Sequence, residues 1–136
     1  MCTEEKRKTG KTGISSLDDL IHRVIGGLIR VHKELGPGFL ENIYHRAVEI
    51  EFRRQGIAFE TEKEITLRYR GEKIGVHRLD LMIEGELVVE LKTVQELSKK
   101  HYAQVRSYLK AASKPFGLLV NFSDFQLDTR RVELDK

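Results

Sequence analysis

The sequence predicts one small α/β domain in which helices pack on a mixed sheet. Apolar residues recur at helical spacing as far as about residue 54, and they alternate with polar residues between about 65 and 94. Helical spacing then returns before a last apolar strand. The chain has 136 residues, of which 40% are hydrophobic and 33% are charged, so it can bury a core without disulfides. The predicted order of elements is α-α-β-β-β-α-β.

Residues 1–14 are polar and lack apolar periodicity, so we expect a flexible tail before a single domain of residues 15–136. Ser15 and Ser16 stand three residues before Asp18 and Asp19, a spacing typical of a helix start. The pair Gly36–Pro37 ends this helix, and Gly26–Gly27 in its middle indicates close packing. Its apolar stripe consists of Leu17, Leu20, Ile21, Val24, Ile25, Leu28, Ile29 and His32.

The remaining elements follow from changes of period. A second helix is expected from about Leu40 to Arg54, with Leu40, Ile43, Ala47, Ile50 and Arg54 along one face. Residues 65–69, 73–83 and 87–94 then predict a three-stranded meander. A basic amphipathic helix is expected over about 98–112, Pro115 breaks it, and Phe116–Phe122 is typical of a buried strand.

Composition excludes several classes of protein. The lone Cys2 rules out a disulfide scaffold, and it rules out a zinc ribbon or an iron–sulfur site built within one chain. No stretch approaches the roughly 20 apolar residues of a membrane span, and no signal-peptide pattern is present, so we expect a cytoplasmic protein that binds no membrane. The net charge of +3 is compatible with nucleic-acid binding.

The most informative segment is the hairpin around Glu84–Gly85–Glu86. A three-residue loop here would place Asp80 directly across from Glu90, and Arg78 across from Lys92. The opposite face would then be aliphatic, with Ile83 facing Leu87, Leu81 facing Val89 and Leu79 facing Leu91. A two-residue loop would place the two acids on opposite faces.

Two carboxylates opposed at a Cβ separation of about 4.5–5.5 Å repel each other unless a cation lies between them. Mg²⁺ or Mn²⁺ suits such an oxygen-only site, and Lys92 could orient a water or stabilise charge on a phosphate. The simpler alternative is an ordinary solvated sheet face, in which Asp80 pairs with Arg78 or Lys92.

These residues resemble the PD-(D/E)xK nuclease superfamily, whose signature is an Asp on one strand and Glu-x-Lys on the next, here Asp80, Glu90 and Lys92. The spacing Gln104-x-x-x-Tyr108 is similar to a motif of the RecB-like branch. The spacing Gly38-x-x-Glu41-x-x-Tyr44 resembles the motif of the GxxExxY family within that superfamily. The similarity covers about residues 17–134.

The resemblance implies a restriction-endonuclease-like α-β-β-β-α-β core with an extra N-terminal helix. It implies that Asp80, Glu90 and the backbone carbonyl of Leu91 hold the metal, that Lys92 is the catalytic lysine, and that Glu41 lies close to the metal or orients its water. Gln104 and Tyr108 would contact DNA or waters. Tyr44 could hold the Glu41 carboxylate or belong to the core, and Tyr108 could likewise be a packing residue.

The basic surface of the third helix suits phosphate contact, although it could equally be a solvated face. Its residues are Lys99, Lys100, Arg106, Lys110 and Lys114. No role is assigned to four histidines that lack metal-ligand spacing, which are His32, His45, His77 and His101.

Three functions remain open. The first is a Mg²⁺-dependent nuclease acting on nucleic acid, with DNA favoured over RNA. The second is a catalytically silent module of the same fold that binds nucleic acid. The third is a protein-interaction domain, since the aliphatic residues between Leu17 and Leu35 could serve a homodimer as well as a core.

Overall fold

The computed structural model of the chain describes residues 13–134, with side chains from Ser16 onward. It contains three helices and five strands among those residues. The helices are α1 (Gly13–Leu35), α2 (Glu41–Arg54) and α3 (Lys99–Ala112), and the strands are β1 (Phe59–Tyr69), β2 (Glu72–Ile83), β3 (Leu87–Lys92), β4 (Phe116–Asn121) and β5 (Asp128–Glu133). No helix in this part of the chain combines the length and the apolarity that crossing a bilayer requires.

The strands form one mixed sheet in the order β1-β2-β3-β4-β5. The strands β3 and β4 run parallel, and every other neighbouring pair is antiparallel. A parallel pair needs a crossover connection, and α3 supplies it. The predicted α/β class, the mixed sheet and the order of the first seven elements are confirmed.

Helices cover both faces of the sheet. On one face, α1 and α2 pack on a cluster that includes Leu81, Ile83, Val89 and Leu91. On the other face, α3 packs on a second cluster, which contains Leu79, Met82, Val88, Val105, Tyr108, Leu109, Leu119 and Val132. The sheet is therefore buried between two helical layers.

Helix α1 begins at Gly13, two residues before the predicted start. The prediction of a flexible tail otherwise concerns residues 1–12, which lie outside the described residues. Gly27 confirms the expected close approach, because a Cβ added there would lie 3.0 Å from the Phe52 ring. Gly26 meets no neighbour, and Ile29, predicted to lie on the buried stripe, is exposed.

The predicted apolar face of α2 is wrong. The helix buries Tyr44, Val48 and Phe52, whereas Ile43 and Ile50 remain exposed. The sequence carries two apolar faces on this helix. The face with Tyr44 and Phe52 is the buried one because its large rings fill the space beneath α1, where Phe52 packs against Gly27.

The last strand, β5, was not predicted. Its sequence DTRRVE is mostly polar, and Val132 is its buried hydrophobic residue. It lies at the edge of the sheet, where one side needs no apolar cover. Edge strands of this kind carry little apolar alternation for sequence reasoning to detect.

Candidate active site

The candidate site lies where β2 and β3 separate. Glu84 and Gly85 adopt positive φ angles of 52° and 68°, and Glu86 donates its N–H to the Ile83 carbonyl at 2.9 Å. The predicted three-residue loop is therefore confirmed. The register follows from it, with Ile83 opposite Leu87, Met82 opposite Val88 and Leu81 opposite Val89. The regular pairing ends at Leu81 and Val89, one residue before the two acids.

Beyond this point, hydrogen bonds to the side chains of the two acids replace the backbone hydrogen bonds of a regular β2–β3 ladder. The backbone N–H of Asp80 donates to Glu90 Oε1 at 3.3 Å, and the backbone N–H of Leu91 donates to Asp80 Oδ2 at 2.9 Å. Each carboxylate thus caps the opposite strand where the backbones diverge. The predicted proximity of Asp80 and Glu90 is confirmed, and these reciprocal bonds fix it.

The predicted single aliphatic face is wrong at Leu79. Leu79 joins the cluster under α3, whereas Leu81 joins the cluster under α1 and α2. Regular alternation would have put both residues on one side of the sheet, so β2 changes its facing at Asp80. Strand β1 changes its facing beside it, at Glu62, whose φ is 52°.

Arg78 does not face Lys92 as predicted. It pairs instead with Glu64 on the neighbouring strand β1, at 3.0 Å. Arg78 is therefore engaged with another acid, and the alternative of an Asp80–Arg78 ion pair finds no support. Both partners are largely exposed, so their pairing adds little stability.

Burial raises the pKa of both acids. Glu90 is only 4% exposed, and the negative charge of Asp80 raises the pKa of Glu90 further. For Asp80, the hydrogen bond from Leu91 acts against burial, and so do His45 and Lys92. Burial and mutual repulsion disfavour the charged forms of the two acids. A bound cation would stabilise those charged forms, so the site favours a cation.

Helix α2 adds Glu41 from its first turn. Partial enclosure of its carboxyl raises the pKa of Glu41, and the charge of Asp80 raises it further, while Lys92 and His45 act in the opposite direction. Glu41 therefore shares an electrostatic environment with Asp80 and Lys92. Tyr44 does not hold this carboxylate, because its hydroxyl donates to the Gly36 carbonyl at 2.5 Å and its ring stacks on Phe122.

The structure adds two residues that sequence reasoning missed. One ligand atom from each of His45, Glu62 and Asp80 lies within 4.8 Å of the others. His45 Nε2 is 3.1 Å from Glu49 Oε2 but makes no hydrogen bond, and His45 Nδ1 is 4.0 Å from Glu62. A signal existed for His45, because it follows Glu41 by one helical turn. The sequence carried no such signal for Glu62, because the position of this residue depends on the irregular backbone of β1 at Glu62 itself.

Helix α3 brings Tyr108 to the acids from the other side. Burial, together with the charges of Glu90 and Asp80, raises the pKa of Tyr108 to about 12, and a hydrogen bond with Gln104 acts in the opposite direction. Tyr108 therefore remains a neutral phenol at physiological pH. The His77 ring lies edge-on to Tyr108, with 4.5 Å between ring centroids. The predicted pair Gln104 and Tyr108 thus lies together beside the acids.

The basic residues of α3 do not form one stripe. With about 100° of rotation per residue, Lys100 lies roughly 40° from Gln104, on the side of the acids. Lys99, Arg106 and Lys110 lie roughly 120° or more from Gln104 around the same helix. Lys99, Lys100 and Lys110 are exposed, and Arg106 is half-buried.

Asn121 fixes the segment that follows Lys92. Its side chain accepts the Val94 N–H at 3.0 Å and donates to the Val94 carbonyl at 2.8 Å. Asn121 stands opposite Lys92 in the parallel ladder and is buried. The sequence did carry a signal for it, namely one amide in an otherwise apolar strand.

Two other histidines have structural contacts. His101 Nδ1 accepts the N–H of Ser98 at 2.9 Å and so caps the start of α3. His32 is buried, and its Nε2 lies 2.8 Å from the Asp124 carbonyl. His45 is thus the histidine that lies among the site's acids.

Solved structures similar to this chain include the following two. The crystal structure of SSO0001 aligns with a TM-score of 0.57 at 24% identity, over 70% of this chain and 50% of that one. The alkaline exonuclease LHK-Exo from Laribacter hongkongensis aligns with a TM-score of 0.52 at 11% identity, over 93% of this chain and 73% of that one. The chain thus spans about half the length of SSO0001. These likenesses show the fold, which is the predicted restriction-endonuclease-like fold.

No curated protein sequence is significantly similar to the chain. A family model does match it, over residues 18–132, and that model describes the PD-(D/E)XK nuclease superfamily. The matched span includes the two acids where β2 and β3 separate, the lysine that follows Glu90, and the whole of α3. On this match and this geometry, the chain belongs to the PD-(D/E)XK nuclease superfamily.

Proposed function

We propose that this protein is a divalent-metal-dependent nuclease that hydrolyses phosphodiester bonds in nucleic acid, with DNA as its preferred substrate. The observation that carries the proposal is the pair of reciprocal bonds that holds Asp80 and Glu90 together where β2 and β3 diverge. An ordinary sheet would continue its ladder at this point. Here the ladder ends in the buried Glu90 and the half-buried Asp80, with Lys92 two residues beyond Glu90.

The residues present fit a divalent cation. Asp80 and Glu90 have raised pKa values because of burial, and a cation would remove the cost of their charges. We propose that they hold Mg²⁺ or Mn²⁺ together with the backbone carbonyl of Leu91. An ion of this kind polarises a phosphate and lowers the pKa of water.

His45 and Glu62 offer a second way to complete the site, since both lie near Asp80. Oxygen ligands suit Mg²⁺ and Mn²⁺, whereas an imidazole favours later transition metals. The two ligand sets therefore predict different preferences. Strong selectivity for Mn²⁺, Co²⁺ or Ni²⁺ over Mg²⁺ would support the set that contains His45.

The other residues act on substrate and water. In our proposal Lys92 stabilises negative charge on the phosphate or orients the attacking water, and Glu41 orients that water from the side of α2. The neutral O–H of Tyr108 donates a hydrogen bond to the substrate or to a water, and Gln104 holds it. Lys100, on the same flank of α3 as Gln104, contacts a phosphate of the strand, whereas Lys99 and Arg106 lie too far around the helix to do so.

We further propose that the chain falls in the RecB-like branch and the GxxExxY family. The positions of Gln104, Tyr108 and Glu41 around the acids support this. A catalytically silent binding module would not need two enclosed acids beside a lysine. A cytoplasmic location remains a prediction from the sequence.

The test is cleavage of end-labelled DNA and RNA of the same sequence, in Mg²⁺, in Mn²⁺ and in EDTA. We expect cleavage of DNA that requires metal and falls by at least about 100-fold in Lys92→Ala. Lys63→Ala removes a half-buried lysine that pairs with Glu60, and it serves as the matched control. Cleavage that survives Lys92→Ala, or that persists in EDTA, would contradict the proposal.

A further inference from the structure

Helix α2 carries a second apolar face that the fold leaves uncovered. Leu40 is 74% exposed, Ile50 51% and Ile43 42%. Phe39, from the adjacent turn, is also exposed. These are four of the nine large exposed hydrophobic residues in the described part of the chain, and all four fall within twelve residues of sequence, so the exposure is concentrated rather than scattered. We call this region the α1–α2 face.

The α1–α2 face has the shape of a groove. A depression of about 360 Å³ lies between the two helices, with an apolar lining of Val31, Leu35, Ala47 and Ile50. Leu40, Ile43, Ala47 and Ile50 follow one another at steps of three or four residues, so they form one continuous stripe on α2. A long apolar groove between two helices suits the helices of another protein molecule.

The charged residues that border the groove favour a second copy of this chain as the partner. Arg30 and Arg54 border it together with Glu34 and Glu51, two of each sign. A border without net charge does not select nucleic acid or a strongly charged peptide. Arg30 and Glu51 already pair with each other within the chain, at 3.2 Å. In a symmetric pairing, Arg54 of one copy can meet Glu34 of the other.

The N-terminal segment of the chain is a poor alternative occupant. Residues 1–12 contain Met1 and Cys2 but no other large apolar side chain, and most of the remainder is charged. Such a segment cannot replace the water over four exposed hydrophobic residues. A second copy of the α1–α2 face can, because it presents the same apolar stripe.

We propose that the α1–α2 face is the interface of a symmetric homodimer, in which α1 and α2 of two copies pack as four helices. The dimer leaves the nuclease site open. With about 100° of rotation per residue, the centre of the apolar stripe lies roughly 140° to 180° around α2 from Glu41 and His45. One helix therefore serves the interface with one side and the site with the other. The inference does not depend on the proposed function.

The test is the mass of the full chain in solution, measured by sedimentation equilibrium without nucleic acid from micromolar to submillimolar concentration. We expect twice the chain mass of 15.7 kDa. Ile50→Glu should give the single-chain mass, and the double variant Ile43→Ala/Ile50→Ala should weaken association by at least about tenfold. The alanine variant decides the matter if the glutamate variant does not fold, as judged by circular dichroism.

The matched control is Ile74→Glu on β2, where another isoleucine is 67% exposed outside the α1–α2 face. We expect the Ile74→Glu protein to retain the wild-type dimer. A wild-type chain of single mass at every concentration would overturn the proposal, as would a dimer that survives both Ile50→Glu and the double alanine change. A single-mass chain that dimerises only after removal of residues 1–12 would show instead that the tail covers the face.

Discussion

At the scale of single residues, the enclosed acids Asp80 and Glu90 oppose the stability of the fold. Both are enclosed, each is hydrogen-bonded to the backbone of the opposite strand, and their charges repel. A protein selected for stability alone would place apolar residues there. Polar groups that oppose stability in this way are expected at functional sites.

The raised pKa values of the two acids predict how the free energy of unfolding varies with pH. Burial raises the pKa of Asp80 and Glu90 above their ordinary values of 3.8 and 4.5, so the folded protein retains protons that the unfolded chain releases. Without metal, this contribution to stability is complete below those ordinary values, and it is lost as the pH rises through the raised folded values.

Glu90→Gln should therefore stabilise the metal-free protein at pH 8 and have little effect near pH 4. Glutamine keeps an oxygen that can accept the Asp80 N–H but carries no charge. We expect a gain of about 1.4 kcal/mol for each unit of raised pKa, which is roughly 5 °C or more in melting temperature.

The measurement is a series of melting curves across this pH range, with Glu86→Gln at the exposed turn as the control. An equal loss of stability at both pH values in Glu90→Gln would mean that Glu90 is an ordinary hydrogen-bonded residue whose charge costs nothing.

At the scale of elements, α3 both covers the sheet and faces the site. Its buried side, with Val105 and Leu109, packs on β4, and its flank carries Gln104 and Tyr108 to the acids. Only basic residues on that flank can contact a phosphate bound at the acids. The positions of the lysines around α3 therefore predict different roles for residues that look equivalent in the sequence.

We expect Lys100→Ala to weaken binding of duplex DNA more than Lys110→Ala does. Both lysines are exposed on the same helix, but only Lys100 lies near Gln104. Loss of one phosphate contact should reduce the slope of log affinity against log salt concentration by about 0.9. The measurement is fluorescence anisotropy of labelled DNA in Ca²⁺ at several salt concentrations. Equal slopes for the two variants would show that this side of α3 does not contact the strand.

The end of β4 is a second element that serves the site. Asn121 satisfies both the N–H and the carbonyl of Val94, and so holds the chain beyond Lys92. Asn121→Leu keeps the side-chain size but leaves two backbone groups without this partner. We expect a loss of about 1–3 kcal/mol in the free energy of unfolding.

Urea denaturation measures this loss, with Gln126→Leu, an exposed amide in the following loop, as the control. A loss of less than about 0.5 kcal/mol, comparable to ordinary surface substitutions, would show that water replaces the Asn121 bonds without cost.

At the scale of the whole molecule, much of the architecture could be predicted because it follows from local periodicity. The hairpin register depends on one turn, Glu84–Glu86, and that register brings Asp80 close to Glu90, where their hydrogen bonds to the opposite strands hold them. The features that could not be predicted are those for which two sets of residues could each make the packing contact. Helix α2 carries two apolar faces, and the packing of Phe52 against Gly27 and of Tyr44 on Phe122 buries one of them.

Part of the site was hidden from sequence reasoning for a similar reason. Regular alternation predicts that Leu79 and Leu81 share a face, but the strands change their facing at Asp80 and Glu62. The same irregularity brings His45, Glu62 and Asp80 together. It depends on tertiary geometry, so no spacing in the sequence reveals it.

The central claim, that Asp80 and Glu90 hold a divalent cation, is tested most directly by calorimetric titration of Mg²⁺ and Mn²⁺ into the metal-free protein. We predict that the wild-type protein binds metal, that Lys92→Ala binds at least as tightly because a nearby positive charge is lost, and that Asp80→Asn binds at least about tenfold more weakly. Binding of equal strength by the wild-type and Asp80→Asn proteins, or no binding by the wild-type protein at millimolar metal, would contradict the claim.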